Sequence, residues 1–251
     1  MHAPFNAPII MVSPESAQMG KYSANAYLAT RITFINQIAD LCEENGADVQ
    51  EVIKVIGEDK RIGKHYWYPG LGYGGSCFPK DVRELAAYSR TIGHGNNLFN
   101  KIHELNADRI YEKLDEFESM VGGWDGRTVA VLGLSFKPNT DDLREAPSTK
   151  IVPHLLHKGA KVLAHDPMAL GAARQVLDSP EGLAFLENLQ DAVDQADVLL
   201  VVIEWPEYVA YPFDQVAGRG RLFVDARNQF DPEKLQRAGW RYVGLGRRMK
   251  A

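Results

Sequence analysis

The sequence is poor in the residues that would place it in several large protein classes. Its 251 residues include only two cysteines, so no disulfide framework holds it together. Its seven histidines form no HxxxH, and no CxxC pair is present, so nothing supports a structural zinc. No stretch reaches the ~20 apolar residues that a bilayer-spanning helix needs. The opening segment, MHAPFNAPII, has no basic leader before a sustained apolar run. Positive charge is not in excess. The formal net charge is −5, which argues against a general nucleic-acid binder. No glycine fingerprint for a dinucleotide follows an apolar strand. The resulting expectations are a cytoplasmic protein with no metal, no membrane partner and no nucleic-acid partner.

What is present points to a folded chain with chemistry. Apolar residues make up 45% of the sequence, enough for one large core or two smaller ones. The densest signal is GLGYGGSCFPKD, residues 70–81. Pro79 fits the first position of a helix, which puts Cys77 near that helix's positive end. Such a setting favours a thiolate, and a thiolate is a nucleophile. Gly70, Gly72, Gly74 and Gly75 let backbone approach a ligand closely. The alternative for Cys77 is a buried apolar filler, the common fate of a cytosolic cysteine.

The chain divides into halves with different periodicity. In the first, Ser13 is a plausible N-cap with Pro14 at the first helical position. From there to Glu44 only Gly20 interrupts, and Asn45-Gly46 is a closing signal. Apolar residues cover most of that helix's circumference, so it should be surrounded, possible partners including a second chain. Asp48 and Glu51 form a capping-box pattern for a helix over 49–56, closed by Gly57. Further helices are predicted over 79–89 and 96–117. After Gly122-Gly123 short branched apolar runs appear at 128–134, 161–167, 197–203, 221–227 and 241–245. They alternate with helical segments at about 148–157, 170–177, 189–195, 207–216 and 232–237. That alternation predicts an open parallel α/β sheet with helices on both faces and a ligand site beyond the C-terminal strand ends. Asp166 sits where a ribose-binding acid would, but the first turn, GLSFKPNTDDLRE, lacks the dinucleotide glycines. It offers Lys137 and Arg144 instead, which suits a phosphate-shaped pocket of another kind.

Lys21 and Asn25 lie four apart and share a face of the long apolar helix. They are either a surface lysine with an incidental amide or a pair facing the Cys77 loop. In the second case Lys21 can donate to an oxyanion and Asn25 can orient a water. Asp81 can complete the water network or balance the lysine.

These residues carry a resemblance to the UDP-glucose/GDP-mannose dehydrogenase family. KYSANAYLATRITFINQIADLCEENGADV (21–49) resembles its central helix, and RIG (61–63) with GYGGSCFPKD (72–81) resembles its substrate loop and nucleophile. GLSFKPNTDDLREAPS (133–148), ADVLLVVIEWPEY (196–208) and VDARNQF (224–230) resemble its UDP-binding domain. The resemblance implies an α/β protein in three parts. Residues 1–12 are a remnant of an N-terminal NAD-binding domain. Residues 13–118 are a helical central domain that forms a homodimer, and 119–251 a Rossmann-like UDP-binding domain. It implies an NAD-dependent, four-electron oxidation of UDP-glucose at C6, with Cys77 carrying a thiohemiacetal and then a thioester. Lys21 would stabilise the oxyanion, and Asn25 and Asp81 would place the water. Arg61 would reach a partner subunit's substrate, and Lys137 and Arg227 would hold UDP. Tyr66 and Gly74 would line the sugar and nucleotide cleft, and Arg144 would touch the NAD diphosphate. Without the family's N-terminal domain, the chain is expected to bind UDP-sugar and dimerise without full turnover.

The sequence departs from the family at SAQMG before Lys21, at the aromatic HYWYPG (65–70), and at VDAR, where Asp-Gly-Arg is common. Other readings are a relative acting on GDP-mannose or UDP-N-acetylmannosamine, and a non-catalytic dimerisation or UDP-sugar-binding module. A nucleotide-binding regulator unrelated to dehydrogenases would make the Lys21, Asn25, Cys77 and Asp81 set a coincidence.

Overall fold

Ser13 caps the first helix, its Oγ accepting from Ser16 N at 3.2 Å. The helix, α1, runs Pro14–Asn45 and ends at Gly46, whose φ of 82° lets its N–H reach Cys42 O. At 1.5 Å per residue it is about 48 Å long. A computed structural model describes residues 8–247. Most of the expected 1–12 remnant, residues 1–7, therefore lies outside the described residues.

Three more helices complete the first half: α2 (Val49–Gly57), α3 (Phe78–Thr91) and α4 (Leu98–Val121). Asp48 caps α2 through Gln50 N at 2.7 Å, and Gly57 is its last residue, with Glu58 as the C-cap. Helix α3 starts one residue earlier than expected. Cys77 is its cap residue and Pro79 lies inside the first turn. Two apolar clusters fill the half. Ala26, Ala29, Tyr73, Val82, Leu85 and Ile102 join α1 to α3 and α4, and Ile35, Ala39, Cys42, Val49 and Trp67 lie under α2.

The second half is a six-stranded parallel sheet among the described residues, ordered β3-β2-β1-β4-β5-β6. Its strands are β1 (Thr128–Leu132), β2 (Lys161–His165), β3 (Leu183–Phe185), β4 (Val198–Val201), β5 (Leu222–Asp225) and β6 (Arg241–Gly244). Helices α5 (Ser148–His157), α6 (Leu170–Val176), α7 (Leu189–Gln195), α8 (Pro206–Ala210) and α9 (Pro232–Arg237) alternate with them. Strands buried on both faces read as continuous apolar runs, which is why most were legible. Strand β3 was missed because three residues on a sheet edge carry no periodic signal. The helix expected over 207–216 is broken: Pro212 ends it, and only a 3₁₀ turn, Phe213–Gln215, follows.

Several contacts join the halves, among them Ile110, Leu114 and Phe117 of α4, which share the apolar cluster of the sheet. Beyond the end of β6, Val49 N donates to Gly246 O at 2.9 Å and Gly246 N donates to Glu43 Oε1 at 2.7 Å. Beyond the end of β1, the glycine loop before Cys77 meets the loop that follows, Gly75 N donating to Arg144 O. No helix among the described residues is long and apolar enough to cross a membrane.

Candidate active site

A chain of hydrogen bonds links α1 to α3. Lys21 Nζ donates to Asn25 Oδ1 at 3.1 Å, and Asn25 Nδ2 donates to Asp81 Oδ2 at 2.5 Å. The other Asp81 oxygen takes the Lys80 ammonium. Lys21 is exposed, whereas Asn25 and Asp81 are buried, so the chain runs from solvent inward. Burial alone would raise the Asp81 carboxyl. Hydrogen bonds from Lys80 and Asn25, with the charges of Lys80 and Lys21, outweigh it and hold the group below its ordinary value. Asp81 lies one turn into α3, its N–H on Cys77 O at 2.9 Å. Cys77 itself is exposed, with Sγ 3.7 Å from Ser76 Oγ. The filler role belongs to Cys42 instead. That thiol is buried, and desolvation, then the charges of Asp48 and Glu43, push it up.

The glycines do something the sequence reading did not anticipate. A side chain at Gly74 would place its Cβ 2.2 Å from Glu145 O, and one at Gly75 would meet the Phe136 ring at 2.8 Å. Gly75 N donates to Arg144 O at 2.9 Å. At these positions the close approach is to the loop after β1, so protein fills space assigned to a ligand. Asn106 bonds Tyr73 on both its N–H and its carbonyl, fixing the middle of the loop. This docking brings the Cys77 loop and the sheet's first turn together.

The other expected residues fall in different settings. Arg144 forks onto Asp142 at 2.7–3.1 Å, within its own loop. Lys137 is exposed, its ammonium 5.3 Å from the Phe136 ring centre. Arg227 is half-buried: its Nε donates to Val202 O at 3.1 Å and lies 3.0 Å from Glu204. Asp225 holds that turn by accepting from Arg227 N, Phe230 N and Tyr242 Oη. Tyr66 has φ 64° and packs near Tyr68 and Phe78, the residue after Cys77. Arg61 lies apart from this cluster, paired with Asp59 at 2.6 Å, its side chain 89% exposed.

The sheet's own turn does not fit a dinucleotide. Gly133, with φ 99°, is packed so tightly that a Cβ would lie 2.6 Å from Ile203 Cβ. Asp166 is fully engaged, accepting from Leu134 N, Ser135 N, Met168 N, Ala169 N and Trp205 Nε1. The crevice between β1 and β4, where the strand order reverses, is thus closed by a structural carboxylate rather than lined by a ribose ligand.

Polar residues missed in the sequence continue the seam of α1. Asn36 and Asp40 follow Lys21 and Asn25 on the same helix. Asp40 takes the buried Arg109 at 2.8 and 3.0 Å, and Lys113 reaches Asp40, Glu43 and Glu116 at 2.5–3.1 Å. The helical spacing used for Lys21 and Asn25 would have found them if carried three turns further.

Two family models match this chain: the UDP-glucose/GDP-mannose dehydrogenase family, central domain, over residues 15–108, and the same family's UDP binding domain over 130–232. The chain belongs to the UDP-glucose/GDP-mannose dehydrogenase family. It is 40% identical to the UDP-glucose 6-dehydrogenase TuaD of Bacillus subtilis, over 98% of this chain and 54% of that protein. It is 41% identical to the UDP-glucose 6-dehydrogenase of Pseudomonas aeruginosa, over 98% and 56%. The chain therefore spans about half the length of the curated relatives it matches. A solved UDP-glucose dehydrogenase from Pyrobaculum islandicum superposes with a TM-score of 0.83 at 34% identity, covering 98% of this chain and 54% of that one. In family terms, α1–α3 and the Cys77 loop belong to the central domain, and β1–β5 to the UDP binding domain.

Proposed function

We propose that this chain supplies the nucleophile and the UDP-sugar cleft of an NAD-dependent UDP-glucose 6-dehydrogenase. One observation carries the reading: the Cys77 loop is docked on the first turn of the UDP binding domain, with the Lys21–Asn25–Asp81 chain behind it. Lys137 and Arg227 hold the UDP diphosphate, and Tyr66 borders the sugar, while Gly74 serves by letting the Cys77 loop close on Glu145 O. Cys77 Sγ binds the C6 carbon at the aldehyde level as a thiohemiacetal and keeps it through the thioester. Lys21 donates to the oxyanion at that carbon, and Asn25 with Asp81 orients the water that releases the carboxylate. NAD would supply the hydride-accepting chemistry, and Arg144 would be the residue of this chain that meets its diphosphate. The sheet's β1 turn does not fit that dinucleotide, so no step is assigned to it there.

The test is calorimetric titration of the 251-residue chain with UDP, UDP-glucose and NAD. Binding of UDP or UDP-glucose at micromolar levels, tighter than NAD, is expected. Micromolar NAD binding with none for UDP overturns the assignment.

The same reading places a homodimer across α1. Tyr27, Phe34 and Leu41 recur every seven residues and are 58%, 51% and 61% exposed, an apolar stripe in search of cover. Arg61 would then extend toward the partner's sugar. Sedimentation equilibrium at micromolar protein should give a dimer, and a single monomeric species rejects it. The activity of the relatives at about 40% identity favours UDP-glucose over GDP-mannose or UDP-N-acetylmannosamine as the substrate class.

A further inference from the structure

The peptide at Gly70 is gripped from both sides. Its N–H donates to Asn36 Oδ1 at 2.8 Å, and its carbonyl accepts from Arg109 Nε at 2.6 Å. Both gripping side chains are only 2% exposed, and they come from different helices, α1 and α4. Arg109 is itself fixed by a two-oxygen pair with Asp40. A loop peptide with both polar groups held by buried side chains has little freedom to shift, since losing either bond strands a buried polar atom.

What faces Gly70 gives that grip a purpose. A Cβ at Gly70 would lie 2.8 Å from Arg227 Nη1, so the guanidinium rests against the glycine's bare face. The other edge of that guanidinium is occupied by Val202 O and Glu204. Arg227 is therefore seated between the sheet and the clamped loop, and among the described residues no hydrogen bond engages its Nη atoms. Those are the donors a diphosphate would take as a fork.

We propose that Asn36 and Arg109 are positioning residues for nucleotide binding: they hold the Gly70 peptide as the seat on which Arg227 presents its free edge to a nucleoside diphosphate. This rests on the reading of Arg227 as a UDP ligand. It also makes the central helices part of the nucleotide site, since a shift of α1 or α4 moves the seat, and with it the loop that ends in Cys77.

Gly70→Ala is the selective probe. Gly70 does not have a left-handed φ, so alanine is compatible with the backbone, and the group that must yield is the tip of a flexible side chain. UDP titration of four forms of the full chain decides the matter: unaltered, Gly70→Ala, Arg227→Ala and the double variant. Arg227→Ala should weaken UDP binding by more than tenfold. Gly70→Ala should weaken it about tenfold in the unaltered background and less than twofold once Arg227 is alanine. Equal penalties in both backgrounds, or no penalty in the first, overturn the seat. An Arg227→Ala variant that binds UDP normally instead overturns the ligand assignment on which the seat rests. Arg109→Lys tests the clamp without adding bulk. It keeps the charge beside Asp40 but moves the donor off Gly70 O, and it should weaken UDP several-fold only when Arg227 is present. An unchanged UDP affinity in that variant rejects Arg109 as a positioning residue.

Discussion

Asp166 in the sheet half and Asp81 in the helical half are both buried carboxylates at the edge of the candidate site, yet they are satisfied in opposite ways. Four main-chain N–H groups and an indole hold Asp166. Asp81 is held by side chains, an amide and an ammonium, with Lys21 behind them. Backbone donors are fixed by the fold and cannot leave, so Asp166 knots three loops together and has no capacity for a ligand. Side-chain donors can move, and the Lys80 ammonium reaches solvent, so the Asp81 carboxylate can exchange a partner for water where Asp166 cannot. The same residue type is locked by backbone in one half and held by side chains in the other because of what donates to it.

The sharpest way to break that contrast is to remove each carboxylate. Asp166→Ala strands several buried N–H groups and should cost about 3–5 kcal/mol of stability, whereas Asp81→Ala strands one buried amide, that of Asn25, beside an exposed ammonium and should cost about 1–2 kcal/mol. Urea unfolding of the two variants measures the difference. Equal losses would erase the distinction between a knot and an exchangeable site.

A second comparison sets the two cysteines against each other. Cys77 should react with iodoacetamide at neutral pH at least tenfold faster than Cys42, because Cys77 is exposed and burial pushes the Cys42 thiol up. UDP-glucose should slow labelling at Cys77. Peptide mapping that finds Cys42 modified first, or Cys77 indifferent to saturating ligand, removes the support for a covalent mechanism.

The smallest effect concerns pH. The folded Asp81 carboxyl lies below its ordinary value, so its contribution to stability is present above about pH 4 and is lost as pH falls through the lower folded value. Thermal midpoints of the unaltered chain should therefore drop a few degrees more on acidification below about pH 4 than those of Asp81→Asn. Parallel curves would mean that the network does not stabilise the charged form.

Much of the architecture was legible because it depends on local rules. Ser13-Pro14 and Asn45-Gly46 bracket α1 by capping chemistry alone, and the continuous apolar runs announce strands buried on both faces. Helices α5, α7 and α9 were read with their bounds intact. Failures came where context outranks pattern. Strand β3 exists because β2 offers it an edge, and Pro212 divides a stretch whose apolar spacing looks helical. Within the site, the Lys21–Asn25 spacing was readable, whereas the buried Arg109 was not. A charged residue on an amphipathic helix gives no sign of facing inward until its partners, Asp40 and the Gly70 carbonyl, are placed beside it.

The sequence by itself determined the two halves, the ends of α1, α5, α7 and α9, most of the strands and the cysteine that stands beside a glycine loop. Those are set by propensity, capping and periodicity over neighbouring residues. Only the tertiary structure decided that the glycines meet protein rather than ligand, that Asp166 is used up in holding loops, and that Arg227 rests on Gly70. Each depends on groups far apart in the chain, brought together by packing of the sheet against the helices, and no local pattern encodes that approach.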